Sequence, residues 1–205
     1  MAMQSVQQML AADGVADIVD FSYIPFGNEF YNPIKECPPG DTSYSHDGCQ
    51  CWMNACNGTT PAMDCFAGTP VCQHGPDECA ANRIEACAIY AAGGAKAPDV
   101  WTKFIFCFEV DNNSNAASAQ DCAKKAGVDW KKMNACIQPG NTGDMVYKAN
   151  AMKTLRLEPQ HYFTPWFVMN NKPLMSNWQP LLQNVCNAYT GPKPAGCSSP
   201  AVDLL

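Results

Sequence analysis

Thirteen cysteines in 205 residues constrain this chain more than any other feature. Proteins of a reducing compartment seldom carry thiols at that density, which normally marks a disulfide framework made under oxidising conditions. The cysteines stand at Cys37, Cys49, Cys51, Cys56, Cys65, Cys72, Cys79, Cys87, Cys107, Cys122, Cys136, Cys186 and Cys197, and all are disulfide candidates. Spacing alone leaves their pairing open. The odd total requires one thiol unpaired or bonded to another molecule, so a disulfide-linked dimer stays open. Two glycosylation acceptors, Asn57-Gly58-Thr59 and Asn112-Asn113-Ser114, fit a secretory route, and Asn57, in a loop, is the better candidate. Yet Met1 to Leu10 has neither the basic nor the apolar region of a signal peptide. The expectation is that the natural amino terminus lies upstream of Met1.

Charge and hydropathy then exclude classes of partner. Nineteen acidic residues against 13 basic give a net charge of −6, and no basic cluster exceeds a pair, Lys124-Lys125 or Lys131-Lys132. A phosphate-binding surface needs more, so nucleic acid is not expected as a partner. No apolar run reaches the ~20 residues of a membrane helix, so no span is expected. With 47% hydrophobic residues the chain can bury a core as one domain.

Residues 4–12 read as a helix with Val6, Met9 and Leu10 on one face and Gly14 as its stop. Ile18 to Ile24 reads as a buried strand closed by Pro25. Residues 31–71 read as a cysteine-rich loop insert, too poor in aliphatics for its own core and therefore held by disulfides. A helical insertion, 72–158, follows. It holds a helix from Pro76 to about Ala91, and one capped by Asp99 that turns Trp101, Phe104, Ile105 and Phe108 inward. Shorter helices span Ala119–Ala126 and Trp130–Ile137, the latter capped by Asp129. A longer one spans Asp144 to Arg156, with Met145, Ala149, Met152 and Leu155 inward. Residues 159–190 read as a strand from Phe163 to Met169, an Asn170-Asn171 turn, a return strand beginning at Leu174-Met175, and a last helix from Pro180 to Ala188. The order is α/β, thioredoxin-like with a helical insertion. It begins too late, with the first central strand and the start of the first helix missing.

The most specific run is Cys72-Gln73-His74-Gly75-Pro76-Asp77-Glu78-Cys79, continued by Asn82 and Cys87. It resembles the signature C-Q-H-G-x-x-E-C-x-x-N-x-x-x-x-C of the gamma-interferon-inducible lysosomal thiol reductase family at every fixed position. Ile24-Pro25-Phe26-Gly27-Asn28, Gly127-Val128-Asp129-Trp130, Leu157-Glu158-Pro159-Gln160-His161 and Thr164-Pro165-Trp166 resemble further family segments. The resemblance implies a thioredoxin-like fold and reduction of protein disulfides in acid by a C-x-x-C at the start of the first helix. A thiol there gains from the helix dipole and free amides, which favour its thiolate. It attacks the substrate disulfide, and the second thiol resolves the mixed disulfide. The resemblance also implies a cis peptide at Thr164-Pro165, whose exposed backbone supports the site and pairs with substrate.

This chain contains no C-x-x-C; Cys49-Gln50-Cys51 comes nearest. The redox pair is therefore expected upstream of Met1, and no residue of the chain is named as catalytic. Cys72, Cys79 and Cys87 are expected to be structural bridges. His74 is expected to hydrogen-bond near the helix start, His46 to be solvated, and His161 to pack beside the proline strand. A zinc reading on Cys49, Cys51, Cys56, Cys65, Cys72 and His74 lacks the paired spacing of structural sites, so no metal and no cofactor is expected. The leading function is a secretory or lysosomal reductase of protein disulfides, with a small thiol as a permitted reductant. The alternative is a non-catalytic, disulfide-stapled binding protein that has lost its redox pair.

Overall fold

In the computed structural model, residues 2–32, 37, 44–58, 61–94, 97–140 and 142–198 are described. Helix α1 (Ala2–Ala11) buries Met3, Val6 and Met9 at helical spacing and carries no charged side chain. Gly14 follows at φ +70°, a left-handed turn that suits glycine. The expected Ile18–Ile24 strand does not form. Ile18 ends a 3₁₀ turn, and residues 19–27 run on without a ladder, Val19 being extended at φ −118° and ψ 121°. Branched and aromatic side chains favour extended backbone, but a strand also needs a paired neighbour.

The strands form two separate antiparallel pairs. Strand β1 (Glu29–Asn32) pairs with β2 (Thr69–Cys72), setting Glu29 opposite Cys72. Strand β3 (Val168–Met169) returns as β4 (Lys172–Pro173) through Asn170 and Asn171, both left-handed at φ 48° and 62°. The longer strand expected from Phe163 is thus corrected to two residues, because Pro165 and Pro173 have no N–H to offer a ladder. Leu174 adds one bond to the Phe167 carbonyl, 2.9 Å, and Met175–Trp178 then coils as 3₁₀ rather than strand.

The segment between β1 and β2 is not the coreless loop expected. Ser45 caps α2 (His46–Cys56) by accepting from the Gly48 N–H at 3.0 Å. From it Trp52, 1% exposed, packs among Phe26, Tyr31 and Phe66 and donates its indole N–H to the Cys65 carbonyl at 2.8 Å. Aromatic rings supply the core that aliphatics do not.

Helix α3 (Pro76–Ala92) is the hub. Pro76 occupies its first turn and Gly93, at φ +110°, its left-handed end. It packs against β2 and against α4 (Pro98–Ile105), α6 (Trp130–Ile137) and α7 (Thr142–Leu155). Ala97, not Asp99, precedes α4, with Pro98 first and Asp99 inside the first turn; a π-helical turn, Phe106–Asp111, continues it. Trp101, Phe104, Ile105 and Phe108 are buried as their spacing requires. Helix α5 (Ala119–Ala126) ends at left-handed Gly127, and Asp129 caps α6 through the Lys132 N–H at 3.1 Å. Helix α8 (Leu181–Ala188) packs on α1.

The inward face of α7 differs from its apolar spacing. Leu155 is buried as expected, but Met145 is 66% exposed and Ala149 is exposed too, while Tyr147, Asn150, Ala151 and Thr154 are buried in their place. Two polar anchors set this rotation: Asp144 accepts from Arg83 at 2.7 Å, and the Tyr147 hydroxyl donates to Glu29. Arg83 also donates to the Ile137 and Gln138 carbonyls at 2.8 and 2.9 Å, satisfying the end of α6.

Candidate functional site

Twelve cysteines pair as Cys37–Cys51, Cys56–Cys65, Cys72–Cys79, Cys87–Cys136, Cys107–Cys122 and Cys186–Cys197. Cys49 alone is free, and it is buried at 3% exposure. Burial pushes its thiol up to about 11, so it is neither a ready nucleophile nor placed to bridge a second molecule. These pairs overturn both minor readings. Cys51 is bridged, which removes the Cys49-Gln50-Cys51 redox centre, and Cys51, Cys56, Cys65 and Cys72 are not available to zinc. Glu29, Cys72 and Cys79 do bring ligand-type atoms within 4.8 Å of one another, but the two sulfurs are bonded to each other.

The fixed residues of the signature form a local brace. The Cys72–Cys79 bridge closes the loop that enters α3, where Gly75 turns at φ +96°. Glu78 reaches back to the His74 backbone N–H at 2.7 Å and to its ring at 3.2 Å, an N-terminal cap on an exposed histidine. Gln73 accepts from Asn28 at 2.8 Å, and Asn82 donates to Glu29. Cys87 ties α3 to α6. The signature thus clamps the 24–29 turn onto the start of α3. His46 begins α2 and is exposed, with Tyr44 at 3.2 Å from its ring.

That turn borders a cleft of about 910 Å³. Ala2, Met3 and Val6 of α1 line one part, and Val19, Phe21 and Tyr23 form a wall. Gly27, His161, Thr164 and Pro165 line another part, with Leu181 and Val185 from α8. The Thr164-Pro165 bond is cis. A Cβ on Gly27 would lie 3.2 Å from the Thr164 methyl, so glycine lets the two loops approach. Tyr162 is 62% exposed and shares edge contacts with Phe163 and Trp166 beside this end of the cleft.

Three buried polar groups lie near the cleft, and of these His161 alone stands in a motif. His161 is 4% exposed, and burial lowers its pKa, with the Gly27 backbone acting in the opposite direction. Glu29 is 1% exposed; burial pushes it up to about 7 although Tyr147 and Asn82 both donate to it. Tyr23, Glu85 and Glu109 meet at one phenol oxygen, 2.9 Å from Glu85 and 2.6 Å from Glu109. Of these three residues Glu85 alone had a sequence signal, an acid inside the buried run Ile84–Ala88. Of the acceptor asparagines, Asn57 is exposed, although Thr59 lies outside the described residues. Asn112 spends its amide on the Cys107 carbonyl at 2.7 Å.

A helical α/β protein, stapled throughout by internal bridges and braced by its signature against a cleft, is the class that these features define. The family model described as gamma interferon inducible lysosomal thiol reductase matches residues 59–126. A goldfish (Carassius auratus) protein named gamma-interferon-inducible lysosomal thiol reductase is 36% identical over 135 residues, 63% of this chain and 51% of its own length. An Arabidopsis thaliana gamma-interferon-responsive lysosomal thiol protein is 35% identical over 138 residues, 65% of this chain and 55% of its own length. The mouse (Mus musculus) thiol reductase of the same name as the goldfish protein is 32% identical over 137 residues, 62% of this chain and 50% of its own length. With the signature, these matches support membership of the gamma-interferon-inducible lysosomal thiol reductase family. The chain spans about half the length of these relatives.

Proposed function

We propose that this chain is the body of a thiol–disulfide oxidoreductase that reduces protein disulfides with a C-x-x-C carried by sequence ahead of Met1. The observation that carries the reading is that the start of α1 and Thr164-Pro165 line one cleft. A thiol at the amino-terminal end of α1 is stabilised as thiolate by the helix dipole and unpaired amides. It faces, across the cleft, a proline-interrupted segment whose backbone has few partners within the fold and suits pairing with an extended substrate. In this reading the fold is thioredoxin-like, and the space between the 19–24 wall and Phe167 receives a central strand from the same preceding sequence. Thr164 and Pro165 support the redox pair, a small thiol serves as reductant, and Asn57 bears a glycan. The secretory pathway or lysosome is the site of action, in keeping with the relatives' names.

A second reading, a non-catalytic binding protein, draws support from the cysteines, since the one free thiol is sealed in the core. Intact mass and amino-terminal peptide mapping of the native protein separate the two. A preceding C-x-x-C, with acid-active reduction of a denatured disulfide substrate that is lost when either of its cysteines becomes serine, supports the reductase. A native chain starting at Met1 sinks it. The 205-residue chain by itself is expected to reduce no such substrate.

A further inference from the structure

The geometry at Tyr23 sets a proton-counting problem. One phenol proton faces two carboxyl groups, at 2.6 and 2.9 Å, and a hydroxyl hydrogen donates to one acceptor at a time. Glu85 is 2% exposed, and among the described residues neither carboxyl enters an ion pair. Two bare carboxylates sharing one phenol in a buried site repel one another, and desolvation of each is costly. One added proton resolves the conflict: a carboxylic acid at Glu85 donates to Glu109, and the phenol donates to a remaining oxygen.

We propose that Tyr23, Glu85 and Glu109 form a proton-holding latch that pins the 19–24 wall of the cleft to α3 and the Phe106–Asp111 turn in acid and releases it toward neutral pH. The three residues belong to three separate elements, and the wall lacks ladder bonds that would hold it otherwise. Val19, Phe21 and Tyr23 also pack against the core, Phe21 against Trp101 with ring centroids 5.7 Å apart.

The charges around the latch give the direction. Burial is the first cause raising both carboxyls above their ordinary range; Glu109 raises Glu85 further, whereas the hydrogen bonds of Tyr23 and Glu85 pull Glu109 back down. Glu29 on β1 adds repulsion at Glu85. Helix α1 itself presents no charged side chain. A carboxyl whose pKa is raised by folding stabilises the fold fully below the unfolded carboxyl range and loses that contribution as pH rises through its folded pKa. Within that window, one linked proton changes the latching equilibrium about tenfold per pH unit.

The test uses the 205-residue chain and no thiol assay, so it stands or falls apart from the proposed reductase activity. The nuclear Overhauser contact between the Phe21 and Trp101 rings is expected to be strong at about pH 5 and lost at about pH 7.5. In Glu85→Gln, whose amide donates permanently to Glu109, the contact is expected at both values. In Glu29→Gln the dependence on pH should remain. An unchanged contact in the unmodified chain, or a dependence that survives Glu85→Gln, overturns the latch. Glutamate carboxyls labelled with ¹³C answer without any substitution: a protonated acid at Glu85 or Glu109 near neutrality supports the latch, and ordinary titration of both overturns it.

Discussion

Glu29 shows how a single buried residue imposes a pH preference. Its folded pKa, about 7, exceeds the ordinary carboxyl value because burial outweighs two donated hydrogen bonds. The sign follows: its contribution is complete below the unfolded carboxyl range and lost as pH rises through about 7. Urea unfolding at about pH 5 and about pH 8 is expected to show a loss on the order of 3 kcal/mol from this group, a loss missing in Glu29→Gln. His161 acts in the opposite sense: its folded pKa is lowered, so its contribution is lost as pH falls below the ordinary histidine range. Cys49 makes a simpler prediction. Native protein treated with a maleimide near neutral pH should gain no adduct by intact mass, and denatured protein one, because the thiol is both buried and raised to about 11.

At the scale of elements, α2 and its aromatic partners bear the most weight in the segment between β1 and β2. Trp52→Ala removes a side chain 1% exposed together with its bond to the Cys65 carbonyl. A loss of about 3–5 kcal/mol is expected in denaturant unfolding, with the Cys56–Cys65 bridge still intact by mass. In α7, a Cβ on Gly143 would lie 2.0 Å from the Cys136 carbonyl oxygen and 2.5 Å from Arg83. Gly143→Ala should therefore separate α6 from α7, at a cost of at least about 1–3 kcal/mol read from thermal unfolding. Helices such as α3, α5 and α6 were legible because Pro76, Gly127 and Asp129 punctuate a clear apolar period. The face of α7 was not, because Tyr147 and Asp144 take partners 118 and 61 residues away, and those bonds override the spacing of Met145 and Ala149. The same holds for the cleft. Thr164-Pro165 could be singled out from its motif, whereas the meeting of Tyr23, Glu85 and Glu109 depends on contacts that local patterns do not encode.

For the molecule as a whole, the bridges decide whether there is a fold to discuss. Each native disulfide of a small secreted-type domain contributes about 2–5 kcal/mol, against a total stability of about 5–15 kcal/mol. Full reduction by a strong dithiol at neutral pH is expected to unfold the chain, which circular dichroism and loss of the near-ultraviolet signal will show. Reduced intact mass should then rise by two hydrogens for each of the six bridges.

Drawn as arcs above the chain, these bridges never cross: Cys107–Cys122 nests inside Cys87–Cys136, and the other four stand side by side. Five of the six join cysteines 7 to 15 positions apart. A chain emerging amino end first can thus be oxidised almost in order of synthesis, each cysteine meeting its partner soon after both appear. The exception is Cys87, which must wait 49 positions for Cys136 while Cys107 and Cys122 pass. Oxidative folding of this protein therefore has two places where a wrong partner arrives first, since Cys37 also meets the unpaired Cys49 just before Cys51, and an isomerase has two bridges to correct.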